Sequence, residues 1–369
     1  MRAVGIIFSN IHDNNVPELV RVRTLGSIPF GGRYRLIDFP LSNMVNSGID
    51  TVGIITKSNY QSLMDHVGSG KDWDLARKDG GLILMPPFSD RKDQPYSTRL
   101  EALSSLRGFL SRRSEKYLVL MDSDGVARLD ISNIIETHEK THADMTMVTT
   151  VREMDKPSNF MVVAANENGR IIDIQLSPHV KAGEKVNTFI NVMVVGRLFL
   201  LNIIEDAITH GFNSFENDVL LKQLHTLKIY EYKFNGYYAA IDSMSAYYKH
   251  NMELLQKEVR QDLFGERDIY TKVRDSAPSK YGKDAVVKNS LISDGCEIEG
   301  FVENSILFRG VKVGKGAVVR NSVIMQDNII GQNTSLNCVI TDKNVVVSDR
   351  TTLGGCADLP YYIPKGTRL

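Results

Sequence analysis

The sequence predicts an α/β domain over residues 1–260, a linker over 261–284 and a parallel β-helix over 285–369. Three observations carry this. Up to about residue 260, short apolar runs alternate with amphipathic segments, as in a helix-covered, largely parallel sheet. The stretch "RDIYTKVRDSAPSKYGKDA" then brings Pro278 and several turn formers, a composition suited to a linker. Beyond it, "NSLI" (289–292), "NSIL" (304–307), "NSVI" (321–324) and "NCVI" (337–340) recur at intervals of 15, 17 and 16 residues. Apolar pairs such as "VKVG" and "IIG" lie between them, so each unit reads as one triangular coil of a solenoid.

"AVGIIF" (3–8) reads as a fully buried first strand, small and apolar throughout and bounded by turn formers. The turn after it, "SNIHDNN" (9–15), contains no glycine, although ligands of open α/β sheets sit at such turns and glycine lets the backbone approach a phosphate. Asn and Asp also adopt positive φ, but their side chains fill the space, and Asp13 adds a like charge. Further strands are predicted at 51–56, 117–122, 144–151, 191–196 and 229–234. In "STRLEALSSLRGFLSRR" (97–113), Leu100, Leu103, Leu106 and Leu110 recur at helical spacing; in "SFENDVLLKQL" (214–224), Ser214 is the expected N-cap.

Forty-four basic and forty-four acidic residues cancel, leaving no electrostatic footprint for nucleic acid or a membrane surface. Cys296, Cys338 and Cys356 are too scattered for a metal cluster or a disulfide framework and are expected as small core residues. No stretch approaches the ~20 apolar residues of a spanning helix, and a cytoplasmic protein is expected.

One stretch carries a family resemblance: "IPFGGRYRLIDFPLSNMVNSGID" (28–50) closely resembles the segment after the glycine-rich loop of ADP-glucose pyrophosphorylases, the sugar nucleotidyltransferases that start bacterial glycogen synthesis. "LVLMDSDGVARLDI" (118–131) is similar to the family's strand with its catalytic aspartate, and "GYYAAIDSMSAYYKHN" (236–251) stands in the place of its second metal motif. The resemblance covers nearly the whole chain. It implies a Rossmann-like, GT-A-like mixed sheet, a left-handed hexapeptide β-helix, and a chemistry joining glucose 1-phosphate to ATP with release of pyrophosphate. Such chemistry brings two anions together, so it needs cations and Mg²⁺ held by shared carboxylates.

Residue by residue, the resemblance implies losses. The glycine-rich loop falls on "SNIHDNNV"; the next motif keeps Arg23 but puts Leu25 in a lysine's place. "YRGTADA" becomes "YSTRLEA" (96–102), with Ser97 for its arginine and Arg99 nearby. The lysine on the sugar phosphate becomes Ser177, and a following glycine becomes Asn191. The first metal aspartate falls on Asp124, with Asp122 as an extra acid; the second falls on Ala240, after Ala239 in an arginine's place. Asp242, two positions on, keeps the same face but stands about 7 Å away. Arg33 and Arg35 match positions that in relatives lie near the effector, which makes them a candidate effector-anion site. Trp73, the single tryptophan, is not assigned.

What survives is scaffold, and in this family the scaffold builds the oligomer interfaces. The chain therefore resembles most the non-catalytic, D-type companion subunit of the Gram-positive enzymes. The expectation is a regulatory pseudoenzyme with a vestigial Asp124 and with no catalytic, cofactor-binding or metal-binding residues of its own. It would assemble with the catalytic subunit, as a heterotetramer, with Mg²⁺ only at that partner; self-association is compatible with this. The alternatives are a weakly active adenylyltransferase in which Asp122 and Asp124 share the metal, and a free-standing nucleotide or sugar-phosphate sensor. A β-helix acyltransferase would draw its base from the β-helix, whereas all eight histidines precede residue 251.

Overall fold

The computed structural model describes residues 3–86, 96–153, 160–181 and 183–369. The chain forms two compact units. One comprises residues 1–12 and 39–238; the other comprises 13–38 and 239–369.

The first unit is built on a twisted sheet. Strand Ala3–Phe8 lies at its centre, buried along its whole length. It pairs in parallel with Thr51–Ile55 on one side and Tyr117–Asp122 on the other, and Gly81–Met85 continues the parallel part. The other half is largely antiparallel, as in the mixed sheet that the resemblance implies. The long strand Lys185–Gly196 runs antiparallel to both Tyr117–Asp122 and Met145–Glu153, and Met161–Ala165 forms a hairpin with Ile171–Leu176. The turn that closes the hairpin contains Gly169 at φ 77 and an Asn166 side chain accepting from the Asn168 and Arg170 amides. A tight turn of this kind needs no crossover helix, so antiparallel pairing follows.

The leucine stripe over 97–113 is buried as its spacing predicts, at 4 % exposure or less. It is split into two helices, Arg99–Ser105 and Arg107–Ser111, which meet at Leu106. Thr98 caps the first: its side chain accepts from the Glu101 amide while Glu101 reaches back. Ser214 caps the next predicted helix, its Oγ accepting from the Asn217 amide at 3.1 Å. That helix, Phe215–Leu221, is wound with wide, π-type turns. Trp73 packs inside, 1 % exposed, edge-on to His66.

In the second unit, residues 280–363 form three five-stranded parallel ladders, the three faces of a β-helix. Each coil sends Val, Ile or Leu inward, for example Ile298, Val313, Ile330 and Val347 down one face. A column of serines fixes one corner: the Ser290, Ser305 and Ser322 hydroxyls accept from the Ser305, Ser322 and Val339 amides, each at 3.1 Å. The last pair corrects the repeat phase. Val323 pairs with Ile340, so the interval is 17 residues, and Cys338 rather than Asn337 takes the corner held by Asn321. Cys338 accordingly adopts φ 53, beside φ 45 at Asn321. Register follows the inward apolar residues, which a one-residue slip would turn outward, and the asparagine motif is carried along. Cys296 and Cys338 are buried as expected; Cys356 is exposed, in the tight turn that also holds Leu359.

Inside the β-helix, Asn328 is fully buried and uses its whole amide. It donates to the Met325 and Asp342 carbonyls and to Thr341 Oγ1, and accepts from the Val345 amide at 2.7 Å. Asn328→Ala strands several buried partners and is expected to cost about 2–4 kcal/mol, read from the urea midpoint. A loss below about 0.5 kcal/mol would mean that water takes over these bonds.

Candidate functional site: an acid pair held by its own cations

The carboxyl end of Ala3–Phe8, where open α/β sheets place their ligands, leads into the glycine-free turn. The turn closes without any left-handed residue between positions 9 and 15. Its side chains tie it down. Ser9 Oγ donates to the Ile55 carbonyl at 2.8 Å, and the Asn10 carbonyl oxygen accepts from the Lys57 amide at 3.1 Å. Both residues are buried. Backbone N–H groups that a glycine loop would turn toward a phosphate are here replaced by side chains.

His12, the last residue of this turn within the first unit, reaches the acids at the end of Tyr117–Asp122. Its Nε2 lies 2.6 Å from Asp122 Oδ2 and 3.8 Å from Asp124 Oδ2. Arg99, 4 % exposed with its guanidinium over the Phe8 ring, brings Nη2 to 2.6 Å from the same Asp122 oxygen. Asn191 stands at φ 59 where the resemblance has glycine, and its amide donates to Asp124 Oδ2 at 2.9 Å. Asparagine tolerates the left-handed backbone of that position, and its side chain fills the space a glycine leaves open.

Burial alone would pull the His12 imidazole down. The Asp124 charge and the hydrogen bond and charge of Asp122 outweigh both burial and Arg99, and the pKa is pushed up to about 9. Asp124 is pushed upward, chiefly by burial and further by Asp122, against His12, Asn191 and Arg99. Asp122 and Asp124 are thus brought together, and Arg99 is turned inward onto Asp122. His12 is the residue missed by sequence reading. Its signal was a lone histidine within the glycine-free turn.

The other sequence-predicted positions are placed as follows. Ser177 follows strand Ile171–Leu176 at φ 46, with its amide on the Phe160 carbonyl. Ala240 is 6 % exposed and Ala239 is fully buried, so both present only methyl groups; Asp242 accepts from the Ser243 hydroxyl. Leu25 is buried, and its amide donates to the Asp13 carboxylate at 3.0 Å. The donor set does not fit the magnesium that the resemblance implies. The Asp122 oxygen on the histidine side is already taken by Arg99, and that of Asp124 already accepts from Asn191.

The second unit gathers cations. Arg33 is exposed, its guanidinium over the Tyr34 ring, whereas Arg35 is buried. Around the buried Asp342, Lys343 is pushed down to about 6, by burial first and then by Arg35, Arg23 and Arg274, with Asp342 opposing. Arg23 and Lys343 thus join Arg35; the sequence alone singled out Arg33 and Arg35.

Comparison with known proteins agrees with this architecture. Residues 19–276 match the nucleotidyl transferase family, and residues 276–359 match the GlmU-like, C-terminal hexapeptide family. The chain is 35 % identical to the glycogen biosynthesis protein GlgD of Bacillus subtilis (strain 168), covering 98 % of this chain and 96 % of that protein. It is 34 % identical to a glucose-1-phosphate adenylyltransferase of Clostridium perfringens (strain SM101 / Type A), over 89 % and 85 % of the two chains. It is 30 % identical to one of Bacillus anthracis, over 95 % and 94 %. With a nucleotidyl transferase sheet, a hexapeptide β-helix and relatives aligned along nearly its entire length, the chain belongs to the glucose-1-phosphate adenylyltransferase (ADP-glucose pyrophosphorylase) family.

Proposed function

We propose that this chain is a non-catalytic, regulatory subunit of ADP-glucose pyrophosphorylase in glycogen biosynthesis. It enhances a catalytic subunit that makes ADP-glucose from glucose 1-phosphate and ATP. The observation that carries the reading is Ala240, a buried methyl at the sequence position that the resemblance gives to the second metal carboxylate. Leu25 and Ser177, in place of two phosphate-binding lysines, support it. Likeness to GlgD over nearly the full length is consistent with it. Magnesium acts only at the partner, in a heterotetramer.

Enhancement follows from differential contact: a subunit that binds the partner's active conformation better shifts its population. Arg33 and Arg35 are the candidate seat for an anionic effector that biases this shift. The test is ADP-glucose formation by this chain, by the catalytic chain and by their mixture. The chain alone is expected to turn over about 1,000-fold or more below the mixture, since a lost metal bridge and two lost cations cost several kcal/mol. The mixture is expected to exceed the catalytic chain about 5- to 150-fold, the ordinary range of allosteric coupling. Asp124→Ala should leave the mixture unchanged. Magnesium-dependent turnover by the isolated chain that Asp124→Ala abolishes would instead establish an enzyme with rearranged ligands.

A further inference from the structure

Two buried carboxylates held side by side repel one another unless positive charge lies against them. Asp122 is 4 % and Asp124 is 8 % exposed, and the charge against them is the protein's own. His12 contacts both, and Arg99 shares the Asp122 oxygen. Arg99 supplies a fixed positive charge, with Glu216 at the margin, 3.8 Å from Arg99 Nε. We infer that His12 is a built-in counter-ion: with Arg99 it fills the space between Asp122 and Asp124 and closes this acid pair to divalent metal. The inference stands whether or not the chain has a regulatory partner, because it concerns only side chains around one strand end.

The competing arrangement is a metal site with His12 as a ligand. The His12, Asp122 and Asp124 donor atoms all lie within 4.8 Å of one another, a span that one ion could bridge. Geometry favours the counter-ion. Two ligands of one transition ion stand about 3 Å or more apart, each ~2.1 Å from the metal. The His12 Nε2 to Asp122 Oδ2 separation of 2.6 Å is that of a hydrogen bond, and the same oxygen is taken by Arg99. Asp124 Oδ2 is likewise taken, by Asn191. The other oxygen of each carboxylate is buried with no hydrogen-bond partner among the described residues. The pair is therefore a latent site, under-compensated as soon as one positive charge is withdrawn.

The test is titration of the full chain with Mn²⁺ and Mg²⁺, followed by calorimetry and by the Mn²⁺ electron paramagnetic resonance signal. The wild type is expected to bind no stoichiometric Mn²⁺. His12→Ala is expected to gain one site, about tenfold tighter or more, since an unopposed carboxylate pair now faces the ion. His12→Ala/Asp122→Asn should lose that gain, which ties it to the acid pair. His12→Gln keeps the side-chain volume without the charge and should also gain the site, which guards against a folding defect in the alanine variant. Stoichiometric Mn²⁺ binding by the wild type that His12→Ala weakens would make His12 a ligand and overturn the inference. Absence of any gain in both His12→Ala and His12→Gln would overturn it equally.

Discussion

Asp342→Ala is expected to lower the unfolding free energy by about 3–5 kcal/mol, because it leaves a buried guanidinium without its counter-charge. Arg23 is 2 % exposed, and its Nη2 donates to both carboxylate oxygens of Asp342, at 2.7 and 2.8 Å. The carboxylate accepts further bonds from the Lys343 amide at 2.7 Å and the Tyr362 hydroxyl at 3.1 Å. It is also the acid opposing the mutual repulsion of Arg23, Arg35 and Lys343. The pair joins positions 319 residues apart in sequence, so its loss would release the segment 13–38 from the β-helix coil within the second unit. Asp342→Asn retains an acceptor without the charge and should lose less. Urea unfolding followed by tyrosine fluorescence would report both variants. A loss below about 1 kcal/mol for the alanine variant would mean that water reaches and solvates the guanidinium.

The stability advantage of the wild type over His12→Gln is expected to shrink as pH rises from about 6.5 to about 9. The His12 pKa is raised from 6.5 to about 9 in the folded chain. A group with a raised folded pKa contributes its stabilisation fully below the unfolded value and loses it as pH rises through the folded one. At about 1.4 kcal/mol per pH unit of displacement, the contribution is about 3 kcal/mol. Lys343, lowered to about 6, acts in the opposite direction over the same range. The measurement is therefore the difference in midpoint between wild type and His12→Gln across that window, in which Lys343 cancels. Parallel curves would show that the imidazole gains no proton on folding.

The features legible in the sequence are those carried by local pattern. Ala3–Phe8 is the strand its apolar run predicts, and Leu100 to Leu110 form the buried stripe their spacing predicts. The coils were legible because every turn must send an apolar residue inward at a steady interval. The residue types at Leu25, Ser177 and Ala240, which lack a charge, were legible directly. A methyl supplies no metal ligand wherever it lies. By contrast, the slip of the last coil depends on which of Asn337 and Cys338 keeps Ile340 inside, and spacing alone chose the wrong one. The mixed sheet was legible through the family resemblance, and not through the short apolar runs, which do not record the direction of their neighbours.

At the site, the sequence determined by itself that the turn at 9–15 lacks glycine and that aspartates stand at 122 and 124. Only the tertiary structure decided what those aspartates meet. Asp122, Asp124, Arg99, His12 and Asn191 come from four separate stretches of chain, and their meaning is electrostatic. Whether a carboxylate is a metal ligand or half of an ion pair depends on which charge stands within about 4 Å of it in a medium that screens poorly. That distance is set by sheet pairing, in which Phe8 faces Asp122 across the ladder and the turn after it delivers His12 to the acids.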